Sequence, residues 1–306
     1  MTPTIRKIIT APTYCSLAEH PEITIRFFRE AESAFKAGRP VEYDLSETEQ
    51  FTDTAAAILV GQMKDRNINR GLPSTVTFPK DDKVRKSLKR LGINKKIGSD
   101  ENLGELDDIP TQKVTNLKVA NEVARSVVQI TSRFLYGEEK RMKDLYAILI
   151  EMMANTNNHA SSVSKVAYPW FLFIYPDAVK KSVKFVFLDF GEGIFESIPV
   201  KQHITRLPVS IHSRSGDIKL YIRGEELKTT FDHLSSGLIK SRTGIASRGK
   251  GIPKIVQVAD NNLFNRFLLI ANDAYIDIKS NEVSAMNENF SGTMFFFEIN
   301  QGTHNE

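Results

Sequence analysis

The sequence predicts a mixed α/β protein: a smaller N-terminal α/β domain over 1–100, a linker over 101–116, and a larger C-terminal domain over 117–306 in which helices cover one face of a mixed, mostly antiparallel sheet. Three observations carry that reading. Strand-like and helix-like runs alternate up to about residue 91; the stretch Gly92 to Thr111 is rich in Gly, Asp, Asn and Lys and has no period; and two amphipathic helical patterns beyond it are followed by strand-like runs joined through turn-rich loops.

In chain order, Val41 to Leu45 and Ser74 to Phe78 have strand composition, while Asp53 to Met63 and Lys83 to Leu91 have helical spacing. Thr52, Asp53 and Thr54 stand where caps of the first of these helices belong. Beyond the linker, Ala120, Val123, Ala124, Val127, Val128, Thr131 and Leu135 recur at three and four, one apolar stripe that Tyr136-Gly137 ends. A second helix spans about Glu138 to His159, with Leu145, Leu149, Met152 and Met153 on its inner side. Strand-like runs follow at Trp170 to Tyr175, Val183 to Asp189, Phe267 to Ala271, Tyr275 to Ile278 and Met294 to Ile299.

Composition narrows the function classes. No stretch approaches the roughly 18 apolar residues of a membrane span, and the first residues lack the apolar core of a secretory signal, so a cytoplasmic protein without membrane contact is expected. One cysteine, Cys15, and six scattered histidines have no zinc-site spacing. A net charge of +4, without a dense basic block, gives little support to nucleic acid as the partner.

Four short motifs carry the chemistry. In EMMANTNNHA, Glu151, Asn155 and His159 recur at four, so they fall on one face of the second helix and interrupt its apolar pattern with a polar ladder. Asp189, Gly191 and Gly193 follow the strand KFVFL as D-x-G-x-G, a turn that brings backbone close to a flat ligand and leaves a carboxylate at the strand end. Gly249 and Gly251, with Arg248 and Lys250, precede an apolar helix, where exposed N–H groups and positive charge suit an anion. Ser291-Gly292-Thr293 precedes the strand MFFFEI. Taken singly, each reads equally well as a solvated helix end or an ordinary turn.

In this order, E-x3-N, D-x-G-x-G, G-x-G-I and S-G-T together resemble the GHKL superfamily, whose Bergerat-type nucleotide-binding domain is shared by gyrase-type topoisomerases, heat-shock chaperones, mismatch-repair ATPases and histidine kinases. The resemblance covers about Leu117 to Ile299. It implies that ATP and Mg²⁺ are the ligands and that Asn155 holds the metal. It also implies that Glu151 is the catalytic carboxylate orienting water or a hydroxyl, and that Asp189 accepts from the adenine amine. Gly191 and Gly193 would let the base lie against the strand end, Gly249 and Gly251 would face the phosphates, and Thr293 would join the adenine-side network, with Arg248 and Lys250 as further phosphate contacts. The lid region between Gly193 and Gly249 is long, with a hairpin expected near Ile218 to Ile222 and a helix near Thr229 to Leu238. No histidine has the context of a phosphoacceptor helix, which argues against an autophosphorylating histidine kinase.

The N-terminal part, with D-L-S, F-x-D-T and a small-residue helix, is similar to STAS domains, in which the residue matching Thr54 is the phosphorylated hydroxyl. The expected function is therefore slow MgATP hydrolysis with lid closure as a switch for a protein partner or a homodimer. The alternatives are a serine/threonine kinase of the anti-sigma-factor type and a nucleotide-sensing or assembly module without turnover.

Overall fold

A computed structural model of the chain describes residues 5–90, 93, 112–116, 118–160, 168–197, 225–238 and 251–301. The five strands β6 (Gln112–Asn116), β7 (Trp170–Asp177), β8 (Ser182–Asp189), β9 (Arg266–Asp277) and β10 (Glu282–Asn300) form one sheet in the order β6-β7-β8-β10-β9, with every pairing antiparallel. The strand β6 falls inside the stretch expected as linker. The two runs expected as separate strands at Phe267 to Ala271 and Tyr275 to Ile278 are one strand, with Asn272 between them in a left-handed conformation (φ 55°) that Asn tolerates better than most residues.

Along these strands, side chains of both parities are apolar and both faces are buried. One set, including Trp170, Phe185, Phe187, Phe267, Phe295 and Phe297, packs under α5 (Asn121–Tyr136), α6 (Lys143–Ala160), α7 (Glu225–Ser235) and α8 (Gly251–Ala259). The stripe on α5 buries Ala124, Val127 and Leu135, and Gly137 in the left-handed region ends the helix where the sequence places its end.

The opposite set, including Phe171, Phe173, Val186, Leu188, Leu268 and Phe296, shares a core with the N-terminal unit. There, β1 (Lys7–Thr10), β3 (Val41–Asp44) and β5 (Ser74–Thr77) form a parallel sheet in the order β1-β3-β5. Two short strands, β2 (Tyr14–Cys15) and β4 (Gln50–Phe51), pair beside it. Four helices complete this unit: α1 (Pro21–Lys36) and, after it, α2 (Asp53–Lys64), the one-turn α3 (Arg66–Asn69) and α4 (Asp82–Arg90). An element not read from the sequence, α1, starts with proline in its first turn and carries Glu22 near its N-terminus and Lys36 in its last turn, an arrangement matched to the helix dipole. It touches β1 and β3 on one side and β10 on the other. In α2 every residue from Thr54 to Gln62 is buried, as expected of a helix enclosed on all sides. Its N-cap is Thr52, whose hydroxyl donates to the Cys15 carbonyl and accepts no bond from the N–H groups of the helix start. The layers therefore run parallel sheet, α1 and α2, antiparallel sheet, α5 to α8.

Polar contacts fasten the same joint. Lys184 on β8 pairs with Asp53 at 2.7 Å, and although burial pulls its ammonium down, Asp53 outweighs that and leaves it raised. Glu288, in β10, receives Arg26 and Arg29 of α1 at 2.8 Å each. Among the described residues no helix is long and apolar enough to cross a membrane.

Candidate functional site

The odd-numbered side chains of β8 face the helical layer, so Asp189, the last residue of that strand, points toward α6. Its carboxylate is 7% exposed. The Thr156 hydroxyl donates to Oδ2 at 2.9 Å and the Gly191 N–H to Oδ1 at 2.9 Å, so the D-x-G turn folds back on its own aspartate. Burial pushes this carboxyl up to about 6 against the opposing pull of those bonds and of the Thr293 N–H.

Around Asp189 lies a cleft lined by Met152, Asn155 and Thr156 of α6, Tyr168, the turn Gly191 to Ile194, and Thr293 and Phe295 of β10. In this conformation it has room for about one water molecule. The register pairs Thr293 directly with Asp189, which sets the S-G-T motif beside the D-x-G turn. On α6, Met152, Asn155 and Thr156 stand at i, i+3 and i+4, one face of the helix.

Five expected residues, Asn155, Asp189, Gly191, Gly193 and Thr293, thus line one cleft. A sixth, Gly251, opens α8 directly against Asn155, and a Cβ built on it would run into the Asn155 amide. Glu151 lies one turn before Asn155, half-buried, and is not among the residues lining the cleft. Arg248, Gly249 and Lys250 lie outside the described residues, as does the expected hairpin at 218–222.

Two residues at the site were not read from the sequence. Thr156 holds the aspartate from the helical side. Asn272 is 3% exposed and accepts from the N–H groups of Phe195 and Glu196 while donating to the Glu192 carbonyl at 2.9 Å, so it clamps the glycine turn to β9. This gives Gly193 its own reason: its φ of +80° and the space where a Cβ would sit belong to the Asn272 amide. The signal for Asn272 is the polar pair Asn-Asp breaking the apolar run FLLIA; nothing distinguishes Thr156 from its polar neighbours.

Compared with known proteins, the chain matches no family model and no curated protein. The functional reading therefore rests on the site.

One polar atom in the cleft bears on a ligand. Asn155 Nδ2 is buried and has no hydrogen-bond partner among the described residues, a condition that costs about 1–3 kcal/mol. Turning the amide over exchanges its oxygen and nitrogen, so the unpaired end suits either a phosphate oxygen or a hard cation.

Proposed function

We propose that the chain is an ATP-binding protein of GHKL type that binds MgATP in this cleft, hydrolyses it slowly, and uses closure over the nucleotide as a conformational switch for a protein partner or a second copy. The observation that carries the reading is the buried Asp189 carboxylate facing Thr293 across the β8–β10 pair, with the unpaired Asn155 amide on the same cleft. An acceptor held at a strand end by a helix hydroxyl and a backbone N–H suits the exocyclic amine of adenine. Because the cleft has room for about one water molecule, a base enters only as the cleft walls move apart.

Mg²⁺ fits the donor chemistry of Asn155, and when bound it neutralises charge on phosphate oxygens. The chain's own part is positional. Asn155 anchors the polar end, Gly251 lets the start of α8 and its N–H groups approach it, and Glu151, one turn away, is the carboxylate assigned to orient the attacking water.

One observation weighs on the kinase alternative. Thr54 is 2% exposed, its hydroxyl accepts from the Leu17 N–H, and its neighbour Asp53 pairs with Lys184, roughly 17 Å along β8 from Asp189 and on the opposite face. Transfer to Thr54 within one molecule would need that helix to leave its core. The test follows γ-labelled MgATP with native protein and Glu151→Ala. Free phosphate that disappears in the variant is expected; acid-stable label on protein would transfer the assignment to a kinase, and bound but unreacted ATP to a sensing module.

A further inference from the structure

The cleft is built on one side by residues whose neighbours in sequence are held from the opposite layer. In a regular strand, residues two apart share a face. Ser291 and Thr293 do not. The register of β10 against β9 shifts between Phe290 and Thr293, and Gly292 sits in that irregularity at φ +117°, where a Cβ would collide with the Asp189 carbonyl. The irregularity re-aims Ser291 backwards, as bulges beside sites commonly do. Thr293 therefore lines the cleft while the Ser291 hydroxyl donates to Glu32 Oε2 of α1 at 2.9 Å.

Glu32 is an unusual group to find there. It is 6% exposed, and it is held by more than the serine: Gln62 of α2 donates to its other oxygen at 3.2 Å, and Gln62 in turn accepts from the Tyr43 hydroxyl at 3.1 Å. A carboxyl group this buried persists where its oxygens are paired, and here the partners are Gln62 of α2 on one side and Ser291 of the S-G-T motif on the other, with Lys36 of α1 at 3.9 Å. The other margin of the cleft has a parallel attachment. Phe190, between Asp189 and Gly191, packs on α2 where Gly61 leaves room for its ring.

We propose that Glu32 is a positioning residue of the nucleotide cleft: through Ser291 it sets the Gly292-Thr293 backbone against Asp189, so that cleft shape and the local seating of α1 on β10 form a single equilibrium that nucleotide shifts. The ligand in this statement rests on the nucleotide reading above; the coupling rests on the contacts themselves. By reciprocity, whatever loosens α1 weakens nucleotide binding, and nucleotide tightens α1.

The experiment compares native protein with Glu32→Ala, Ser291→Ala, the double variant, Glu32→Gln, and Asp53→Asn, which breaks the separate ion pair between α2 and β8 far from the cleft. Two quantities are read: exchange of the Gly191 and Thr293 amides in ligand-free protein, and affinity for MgATP. Faster exchange at both amides and roughly fivefold or greater loss of affinity are expected for Glu32→Ala and Ser291→Ala, with no further loss in the double variant, because they break one interaction. Glu32→Gln, which can still bond both neighbours, is expected to restore most of the loss, and Asp53→Asn to change neither quantity. Ser291→Ala keeps the test valid should Glu32→Ala fail to fold. Unchanged exchange in folded Ser291→Ala, or an equal effect of Asp53→Asn, would overturn the proposal. If native protein binds no MgATP while the exchange pattern holds, the nucleotide reading falls and the structural coupling stands.

Discussion

At the scale of single residues, Asp189 does two things that pull in opposite directions. Its pKa in the fold is about 6, above the ordinary 3.8, so the folded state holds the proton over that interval and the unfolded chain does not. It therefore costs the fold almost nothing below about pH 4, and the cost grows as pH rises through about 6 to roughly 3 kcal/mol at neutrality. Adenine needs the ionised acceptor, so affinity runs the other way: level above pH 7 and falling up to about tenfold per unit below pH 6. Calorimetric titration across pH 5–8 checks this, with Asp189→Asn as a reference whose affinity is lower and whose profile is flat; a flat profile for native protein would count against the assignment. Gly251→Ala places a methyl group against Asn155 and is expected to weaken MgATP binding at least tenfold in a protein that still folds, as read by the same titration beside circular dichroism. Cys15, fully buried with its thiol pushed up to about 12, is expected to react with a thiol reagent only as fast as the protein unfolds.

At the scale of elements, the strands and helices that the sequence shows best are those with a single dominant signal. The α5 stripe, the glycine that stops it, and the apolar runs of β7, β8 and β10 read directly from spacing. What failed to read was two-sidedness. A sheet with one wet face alternates apolar and polar, whereas FLFI, FVFL, FLLI and MFFF are apolar at both parities, the mark of a sheet covered on both sides. That pattern was in the sequence; the identity of the covering layer was not, because α1 is amphipathic around a stripe that says nothing of its partner. The expectation that follows is quantitative. Phe173 and Phe296 face the N-terminal unit at 1% and 5% exposure, so truncation of either to alanine should cost about 3–5 kcal/mol in urea unfolding. A cost under about 1 kcal/mol would mean that the back of the sheet is not a core.

At the scale of the whole molecule, the N-terminal unit is a structural layer of the five-stranded antiparallel sheet, joined through a common core, the Lys184–Asp53 and Arg–Glu288 pairs, and the Glu32–Ser291 bond. Thermal unfolding should accordingly be one transition, coincident by tyrosine and by helical signals; two separated transitions would show the layers to be independent. Part of the cleft was legible, as Asn155, the Asp189 turn and Thr293, because each belongs to a short local pattern: a helix turn, a turn at the end of β8 and an irregular point within β10. Its supports, Thr156, Asn272 and Glu32, were not, because a hydroxyl, an amide or a carboxylate acquires its role only from what the fold sets opposite it. The most direct test of the central claim is equilibrium binding of MgATP to native protein, Asn155→Ala and Asp189→Asn, with MgGTP as competitor. Saturable binding that prefers adenine, weakened at least tenfold by Asn155→Ala and stripped of its base preference by Asp189→Asn, is the predicted result. Absence of binding to the native protein, or binding that both variants leave intact, would contradict the account.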